Sequence, residues 1–354
     1  MRKRIMAGTL SMRFRKGQEH FGSAIDAASR ENRKRTFSFI NRVLGKHCPV
    51  RPSYAREVFD ELALECKSPH DTLVVGVAEM AIGFGGCIAD SLKKNQSSGT
   101  VFFQHTTRQS AVQPIWFKLR EAHSHAADHL FYAPSIELFG EVVTCKHLVL
   151  VDDEITTGKT MIALVRALLD RMSSVKLVTI VTLANWMPQA TKIEFDRLGP
   201  HVRCVSLVEG EFDFLADPKY TSELPRYVDS VLNDTPCSFD AGRAGVEVPI
   251  LTTNPDAKVF ESSDPLLVMG MSENTFLPFL AAERLEKSDR AVLFQSTTRS
   301  PLALGDAIKS KRSFFVGREK LHFVYNEPEG YVSYPMFEST ALRDECSFSS
   351  ANAS

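Results

Sequence analysis

Two carboxylates followed by a loop of hydroxyl side chains form the stretch of this chain best suited to chemistry. An apolar run at residues 148–151 predicts a short buried strand, and Asp152 and Asp153 follow it directly. A small polar loop comes next, made of Thr156, Thr157, Gly158, Lys159 and Thr160. Apolar residues at helical spacing then predict a helix, namely Met161, Leu164, Val165 and Leu168. The stretch therefore predicts a strand, an anion-binding loop and a helix.

Such a loop is suited to holding a phosphate. Backbone N–H groups at a helix N-terminus and the helix dipole attract anions, and the threonine hydroxyls add donors. Asp152 and Asp153 would repel a phosphate, so we expect them to accept hydrogen bonds from vicinal sugar hydroxyls. The alternative is a Walker A loop, whose last residues match 157–160. Asp153 stands where that motif needs its first glycine, which disfavours the alternative.

The string VLVDDEITTGKT resembles the phosphoribosyl-pyrophosphate (PRPP) loop of the type I phosphoribosyltransferases. The resemblance implies that Asp152 and Asp153 hold the ribose 2′- and 3′-hydroxyls and that residues 156–160 hold the 5′-phosphate. Glu154 departs from the family pattern, in which most members have an apolar residue there. The expected fold is an α/β, parallel-sheet, Rossmann-like transferase core.

Two further strand ends carry residues to which the same resemblance assigns roles. Residues 72–80 predict a strand that ends in a glycine turn, and the resemblance implies that Gly76, Val77, Ala78 and Glu79 face the pyrophosphate leaving group. A turn retained for packing is the alternative. Residues 100–103 predict a third strand, and the resemblance implies that a mobile flap follows it, in which Arg108 would approach the pyrophosphate and Thr107 is a possible substrate contact. Arg108 is the expected cation, because a guanidinium can pair with phosphate through two hydrogen bonds.

Several other polar or aromatic side chains are candidate substrate contacts. His123 and His125 lie in the predicted flap, and with His129 they could instead form a metal site, although no cysteine or paired carboxylate completes it. Phe212 could stack on a base or pack in the core. Lys46 and His47 belong to a Leu-Gly-Lys-His string that resembles a motif of the bacterial tellurite-resistance-associated branch of the family.

Composition limits the classes of protein to which the chain can belong. The chain has 354 residues, 44% of them hydrophobic, which favours two globular domains. A formal net charge of −1 argues against nucleic acid as a partner. No apolar run approaches the roughly 18 residues that span a membrane. The 7 cysteines form no C-x-x-C pair, so we expect free, buried thiols in a cytoplasmic protein.

The alternation of predicted helices and strands favours a parallel sheet. Residues 53–67 predict an amphipathic helix with Val58, Leu62 and Leu64 in its apolar stripe, and residues 176–183 and 201–208 predict two more strands. Ligands of parallel α/β sheets bind at the carboxyl ends of the strands, which is where most of the motifs above fall.

The chain also repeats itself. The string Gln295-Ser-Thr-Thr-Arg299 follows the pattern of Gln104-His-Thr-Thr-Arg108, and Gly270 and Glu273 are spaced like Gly76 and Glu79. We infer a second, partial copy of the fold that stops before any equivalent of the acidic pair and phosphate loop. This part resembles the TRSP domain, which makes Glu273, Thr298, Arg299 and Ser300 its candidate residues. A packing role is the alternative for Arg299.

The predicted domain boundaries are sequential. Residues 1–35 form a basic N-terminal extension, for which a start-site extension or a solvated segment is favoured over a transit peptide. Residues 36–232 form the transferase domain, 233–258 a linker rich in proline, glycine and Asp/Asn, and 259–354 the TRSP domain. The cationic cluster at residues 33–35, in the N-terminal extension, could coat the surface or contact phosphates.

Taken together, these features predict a Mg²⁺-dependent phosphoribosyltransferase. Its donor would be PRPP, and its unknown, nucleobase-like small-molecule acceptor would yield a nucleotide-like metabolite and pyrophosphate. The resemblance implies that Mg²⁺ is held through PRPP and that the enzyme acts beside other biosynthetic enzymes, with a homodimer as one expected state. A regulatory protein that senses PRPP or a nucleotide is the competing prediction, and the reverse reaction with pyrophosphate is a third.

Overall fold

The computed structural model describes residues 1–32, 35–119, 129–222, 242–248, 263–286, 290–316 and 320–336. The described strands are β1 (Arg2–Ile5), β2 (Gly8–Lys16), β3 (Ile25–Ser29), β4 (Phe37–Asn41), β5 (Thr72–Gly76), β6 (Val101–His105), β7 (Ile115–Leu119), β8 (His129–Tyr132), β9 (His147–Ile155), β10 (Leu177–Asn185), β11 (His201–Ala216), β12 (Val246–Glu247), β13 (Leu266–Gly270), β14 (Val292–Ser296), β15 (Lys311–Val316), β16 (Lys320–Tyr325) and β17 (Val332–Met336). The described α-helices are α1 (Pro52–Leu64), α2 (Ile82–Asn95), α3 (Phe139–Val143), α4 (Lys159–Leu169), α5 (Gln189–Asp196) and α6 (Phe276–Glu286).

The chain divides into two compact units, each made of segments that are distant in sequence. The central unit contains residues 56–209 and 231–251, and the terminal unit contains residues 1–55, 210–230 and 252–354. The predicted domains are instead contiguous stretches. Their boundaries near residues 232 and 258 fall outside the described residues and stay predictions.

The central unit contains a predominantly parallel sheet with the strand order β11-β10-β9-β5-β6-β12. Neighbours from β11 to β6 run parallel, and the short β12 is antiparallel to β6. The middle strands β5, β9 and β10 are buried along most of their length, which explains their continuous apolar sequences. The predicted parallel α/β core is confirmed.

Helix α4 covers this sheet with the apolar face that its spacing predicted. Met161, Leu164, Val165 and Leu168 are all buried and belong to one core cluster with residues of β5, β9 and β10. The prediction for α1 was only partly correct. Its Val58 and Leu62 are buried, but Leu64, at the C-terminal end of the helix, is 50% exposed.

The terminal unit combines antiparallel strand pairs with a small parallel sheet. Strand β1 pairs with β2, β3 with β4, and β15 with β16, all antiparallel. Strands β14, β13 and β17 form the parallel sheet in that order. The predicted basic extension at residues 1–35 contributes β1, β2 and β3, and every residue of β3 is buried. Of its cationic cluster, residues 33 and 34 lie outside the described residues.

Two features of composition can be compared with the structure. Within the described ranges no helix is long and apolar enough to cross a membrane. Five cysteines are free thiols in the described part of the chain, and Cys48, Cys66, Cys87 and Cys145 are buried.

Candidate active site

The acidic pair, Asp152 and Asp153, lies at the carboxyl end of the central sheet, beyond the end of the neighbouring strand. Strand β5 pairs with β9 only as far as Gly76 opposite Val151. Strand β9 continues to Ile155 because β10 pairs with it up to Asn185. The sequence placed the carboxylates after the strand, and the structure corrects this, since both belong to β9. Both are partly exposed, and Asp152 Oδ1 accepts a hydrogen bond from the Asp153 amide at 2.9 Å.

The phosphate loop, residues 156–160, connects β9 to α4. Gly158 precedes the first helical residue with a φ of 74°, a left-handed conformation that favours glycine. A Cβ atom at this position would lie 2.5 Å from Thr191 Cγ2, so space also requires a glycine. The Thr191 hydroxyl donates to the backbone oxygen of Thr157 at 3.0 Å and holds the loop from outside. The loop amides therefore lie at a helix N-terminus, as the sequence predicted.

The glycine turn, residues 76–79, leaves the same edge of the sheet beside the acidic pair. The Val77 amide donates to the backbone oxygen of Val151 at 2.9 Å. A Cβ atom at Gly76 would lie 2.8 Å from the backbone oxygen of Ala81, and one at Gly85 would lie 2.8 Å from Gly76 Cα. These close approaches bring α2 onto the turn. The peptide bond between Ala78 and Glu79 is cis.

The flap base, residues 106–109, is hydrogen-bonded to the glycine turn. Thr106 Oγ1 accepts the Ala78 amide at 2.8 Å and lies 3.1 Å from His129 Nδ1. His129 Nε2 is 2.9 Å from an Arg108 nitrogen. Because arginine only donates, Nε2 must accept, and the proton is then on Nδ1, which donates to Thr106. A chain of hydrogen bonds thus connects the predicted flap cation to the glycine turn.

Sequence reasoning missed Arg243, which lies in the predicted linker. Its side chain is 1% exposed, and it donates to Thr107 Oγ1 at 3.4 Å and to Gln109 Oε1 at 3.1 Å. The backbone of residues 242–243 is held in place, since the His105 amide donates to the Gly242 oxygen and the side-chain nitrogen Nε2 of Gln104 donates to the Arg243 oxygen. The only sequence signal was a glycine followed by a cation, the same pair as Gly45 and Lys46.

Two family models together match most of the chain. Residues 24–211 match a phosphoribosyl transferase model, PRTase_2, and residues 243–343 match the TRSP domain found C-terminal to it. The chain belongs to this phosphoribosyltransferase family. It is therefore a glycosyltransferase by family, and the predicted resemblance of its C-terminal part to the TRSP domain is confirmed.

Solved structures of other phosphoribosyltransferases are similar to part of this family member. Orotate phosphoribosyltransferase from Aeropyrum pernix is 17% identical, covering 49% of this chain and 80% of its own, with a TM-score of 0.29. Adenine phosphoribosyltransferase from Trypanosoma brucei is 17% identical, covering 44% and 65%, with a TM-score of 0.30. A hypoxanthine-guanine phosphoribosyltransferase from Bacillus anthracis is 17% identical, covering 44% and 79%, with a TM-score of 0.27. No curated protein matches the chain.

The structure describes some of the remaining predicted substrate contacts of this phosphoribosyltransferase. Lys46 and His47 belong to the terminal unit, where Lys46 Nζ donates to the Ser272 oxygen at 2.5 Å. Phe212 packs against Phe37 and Phe39, with ring centroids 5.5 and 5.2 Å apart, which is the packing alternative. His123 and His125 lie outside the described residues. The described residues contain no group of three or more side chains that could hold a metal ion.

The TRSP region reproduces the flap base and glycine turn of the central unit. Thr297 Oγ1 accepts the Ser272 amide at 2.9 Å and lies 3.2 Å from His322 Nδ1, as Thr106 does with Ala78 and His129. The Tyr325 hydroxyl accepts the Leu302 amide at 2.8 Å, as the Tyr132 hydroxyl accepts the Ala111 amide at 2.7 Å. Hairpin β15–β16 corresponds to hairpin β7–β8. This supports the inferred internal copy at the level of single hydrogen bonds.

The copy extends further than the sequence indicated. Strand β17 runs parallel to β13, with Met336 opposite Gly270. Strand β9 has the same register on β5, with Val151 opposite Gly76. The copy therefore contains a counterpart of the strand that carries the acidic pair. Phe337 and Glu338 follow it in sequence, where Asp152 and Asp153 follow Val151. Strand β17 thus ends at the position of Val151, and the sequence that follows contains no acidic pair and no T-T-G-K-T string.

Each copy receives an edge segment from a distant part of the chain. In the central unit, Val246 pairs antiparallel with Phe103 of β6. In the terminal unit, Val50 pairs antiparallel with Phe294 of β14. A Cβ atom at Gly242 would lie 3.0 Å from the Phe103 ring, and one at Gly45 would lie 2.6 Å from the Phe294 ring. The Gly-Lys-His string thus completes the TRSP copy, and the Gly-Arg string completes the transferase copy.

Proposed function

We propose that the central unit transfers the 5-phosphoribosyl group of PRPP to a nucleobase-like acceptor and releases pyrophosphate. The register of β5 on β9 is the observation that carries this proposal. It brings the glycine turn and the acidic pair to one edge of the sheet, where the phosphate loop also begins. A single ligand with a sugar diol, a 5′-phosphate and a diphosphate at C1 fits this combination.

The donor would be held at its two ends. Asp152 and Asp153 would accept hydrogen bonds from the 2′- and 3′-hydroxyls of the ribose. The amides and hydroxyls of Thr156, Thr157, Gly158, Lys159 and Thr160 would bind the 5′-phosphate, aided by the dipole of α4. This arrangement separates the carboxylates from the phosphate that they would repel, because the sugar lies between them.

The leaving group would lie against the glycine turn, with Gly76, Val77, Ala78 and Glu79 around it. Arg108 would contribute its guanidinium, and Thr107 would help to position it. In the described residues no group of three or more side chains could hold a metal ion, so an Mg²⁺ ion would take most of its ligands from diphosphate and water. When bound, Mg²⁺ would neutralise charge on the leaving pyrophosphate.

The reaction is a substitution at C1 of the ribose. The bond from C1 to the pyrophosphate oxygen breaks, and pyrophosphate leaves with the electron pair. A lone pair of an acceptor nitrogen forms the new bond to C1. The proton of that nitrogen is then transferred to a Brønsted base such as water. The protein contributes mainly position and electrostatics, since the acidic pair stabilises positive charge that develops on the sugar.

The wider setting follows from the family resemblance of the Leu-Gly-Lys-His string at residues 44–47. In that setting the product is a nucleotide-like metabolite, made in the cytoplasm beside other biosynthetic enzymes of tellurite-resistance clusters.

A calorimetric titration of PRPP with Mg²⁺ tests the donor site first. We expect saturable binding to the wild-type chain and a loss of at least about 100-fold in affinity for Asp152→Asn/Asp153→Asn, because two charge-assisted contacts disappear. Asp170→Asn, an exposed carboxylate just after α4, is the matched control. Absence of PRPP binding to folded wild-type protein would refute the donor assignment.

Turnover requires a second measurement. Pyrophosphate release in the presence of PRPP, Mg²⁺ and a panel of nucleobases distinguishes an enzyme from a PRPP sensor. We expect release with at least one base and none with the double variant. Tight PRPP binding without release for any base would favour the sensor.

A further inference from the structure

We propose that the TRSP copy in the terminal unit is a second ligand site that binds a diphosphate group without a requirement for ribose. The site would consist of the second glycine turn, residues 270–273, and the guanidinium of Arg299. The buried ammonium of Lys46 donates to Ser272, Ser296 and Thr297, so it would add positive charge at the turn without contacting the ligand. The assignment of a diphosphate rests on the proposed role of the equivalent turn in the central unit.

The second glycine turn retains the construction of the first. Thr297 donates its amide to the Gly270 oxygen at 3.0 Å, and Thr106 donates to the Gly76 oxygen at the same distance. A Cβ atom at Gly270 would lie 2.4 Å from the Asn274 oxygen, so this position also requires a glycine. Ser272 has a φ of 51°, and it is partly exposed. The turn leads to the N-terminus of α6, which is 11 residues long.

Positive charge at this turn comes from two side chains. Lys46 is 1% exposed, and its Nζ donates to the Ser272 oxygen at 2.5 Å and to the Thr297 oxygen at 3.3 Å. Arg299 stands at the position of Arg108 in the flap base, and it is partly exposed. Glu273 is the one carboxylate of the turn, so the turn and these two side chains together favour an anion.

The burial of Lys46 argues against a copy retained only for packing. Removing an ammonium from water costs several kcal/mol, and an apolar residue of similar size is often neutral or more stabilising at such positions. The central unit buries Arg243 at the corresponding place after its own glycine. Both copies therefore keep a buried cation that donates to the segment after the second strand, Arg243 to Thr107 and Lys46 to Thr297.

The absence of an acidic pair and of a phosphate loop from the sequence of the TRSP copy indicates which ligand it can bind. Strand β17 stands in the place of β9, but its sequence continues with Phe337 and Glu338 and contains no T-T-G-K-T string. The groups that would hold the ribose hydroxyls and the 5′-phosphate are thus absent from the sequence. The retained half is the one that faces a diphosphate. Free pyrophosphate and the diphosphate of a nucleotide share this chemistry.

Titration of inorganic pyrophosphate into the full-length chain tests the site, with Arg299→Gln and Arg108→Gln as a matched pair. We expect two pyrophosphate sites per wild-type chain. Arg108→Gln should weaken one of them about tenfold or more, and Arg299→Gln should weaken the other by a similar factor. PRPP, which also carries a diphosphate, should bind more tightly than pyrophosphate at the site that depends on Arg108 and no more tightly than pyrophosphate at the site that depends on Arg299. Lys309→Gln removes an exposed cation of the same unit and should change neither site. Lys46→Met should weaken the site that depends on Arg299.

The possible results separate this proposal from the donor site. One site that depends on Arg108 and not on Arg299 would overturn the second site and leave the proposed transferase intact. One site that depends on Arg299, with no PRPP binding, would support the second site and refute the donor site. Competition by ADP at the Arg299 site, tighter than by pyrophosphate, would support it and identify a nucleotide as the source. Binding of PRPP but not of pyrophosphate at the site that depends on Arg299 would overturn the absence of a ribose requirement.

Discussion

Arg243 Nε donates a hydrogen bond to Thr107 Oγ1 across 3.4 Å, although 136 residues separate them in sequence. A second guanidinium nitrogen donates to Gln109 Oε1 at 3.1 Å. The two contacts hold both neighbours of Arg108. Arg243 is thus a positioning residue for the flap base, and it comes from the part of the chain that matches the TRSP model.

Arg243→Gln should impair the proposed reaction through the flap base. We expect kcat/KM for PRPP to fall by about 10- to 100-fold, and the free energy of unfolding to fall by about 1–3 kcal/mol, because buried partners lose their donor. Steady-state kinetics and urea unfolding measure the two effects. Arg197→Gln, an exposed arginine of the same unit, is the control. Reduced stability with unchanged kinetics would show that Arg243 only supports the fold.

Gly158→Ala should disturb the phosphate loop. The substitution places a Cβ atom 2.5 Å from Thr191 Cγ2 at a residue with a φ of 74°. We expect a loss of about 1–3 kcal/mol in the free energy of unfolding and at least about tenfold weaker PRPP binding, since the N-terminus of α4 must shift. Gly140→Ala in α3 is the control, because a Cβ atom there meets nothing within 4 Å. Equal PRPP affinity for both variants would contradict the role given to Gly158.

Two shortened chains should differ in the stability of the central sheet. A chain of residues 1–241 lacks β12 and Arg243, whereas a chain of residues 1–248 retains the pairing of Val246 with Phe103. Both lack the TRSP copy, so their difference isolates the edge segment. We expect the longer chain to unfold several degrees higher and to bind PRPP more tightly, because it keeps the strand pairing and the buried cation. Thermal unfolding and calorimetry measure this, and identical behaviour would refute the contribution of the edge segment.

Stability should decrease in mild acid because two histidines are buried. Burial lowers the pKa of His47 and of His147 from 6.5 to about 3. Below pH 6.5 these histidines bind protons in the unfolded chain but stay neutral in the folded chain. The free energy of unfolding should therefore fall between pH 6.5 and 3, by up to about 1.4 kcal/mol per pH unit for each histidine.

His147→Gln tests the histidine of the central unit. In the wild type, His147 Nε2 lies 2.8 Å from Thr179 Oγ1, and glutamine can replace part of this contact without a titrating ring. We expect the free energy of unfolding of this variant to fall less steeply than that of the wild type between pH 6.5 and 5. Urea unfolding at each pH measures the difference. His201→Gln, an exposed histidine, should leave the slope unchanged, and an unchanged slope in His147→Gln would contradict the assignment.

Local patterns were sufficient for much of the site. The apolar run of β9, the hydroxyl-rich loop and the helical spacing of α4 are contiguous in sequence, and the structure brings them together in that order. The end of β9 was misplaced, because a change from apolar to polar residues resembled a strand end. Pairing with β10 extends the strand to Ile155, and no local pattern reports the length of a partner strand.

The amino-acid sequence by itself determined the phosphoribosyltransferase family, the parallel α/β core and the repeated Thr-Thr-Arg segment, because each depends on residues close together in the chain. Only the tertiary structure decided that Arg243 supports the flap base, that Lys46 contacts the second glycine turn, and that β17 stands where β9 does in the first copy. These relationships depend on strand pairing and side-chain contacts between segments far apart in sequence. A lone cation after a glycine, or a short strand with Tyr334 and Pro335, carries no local signal of the partner that it meets.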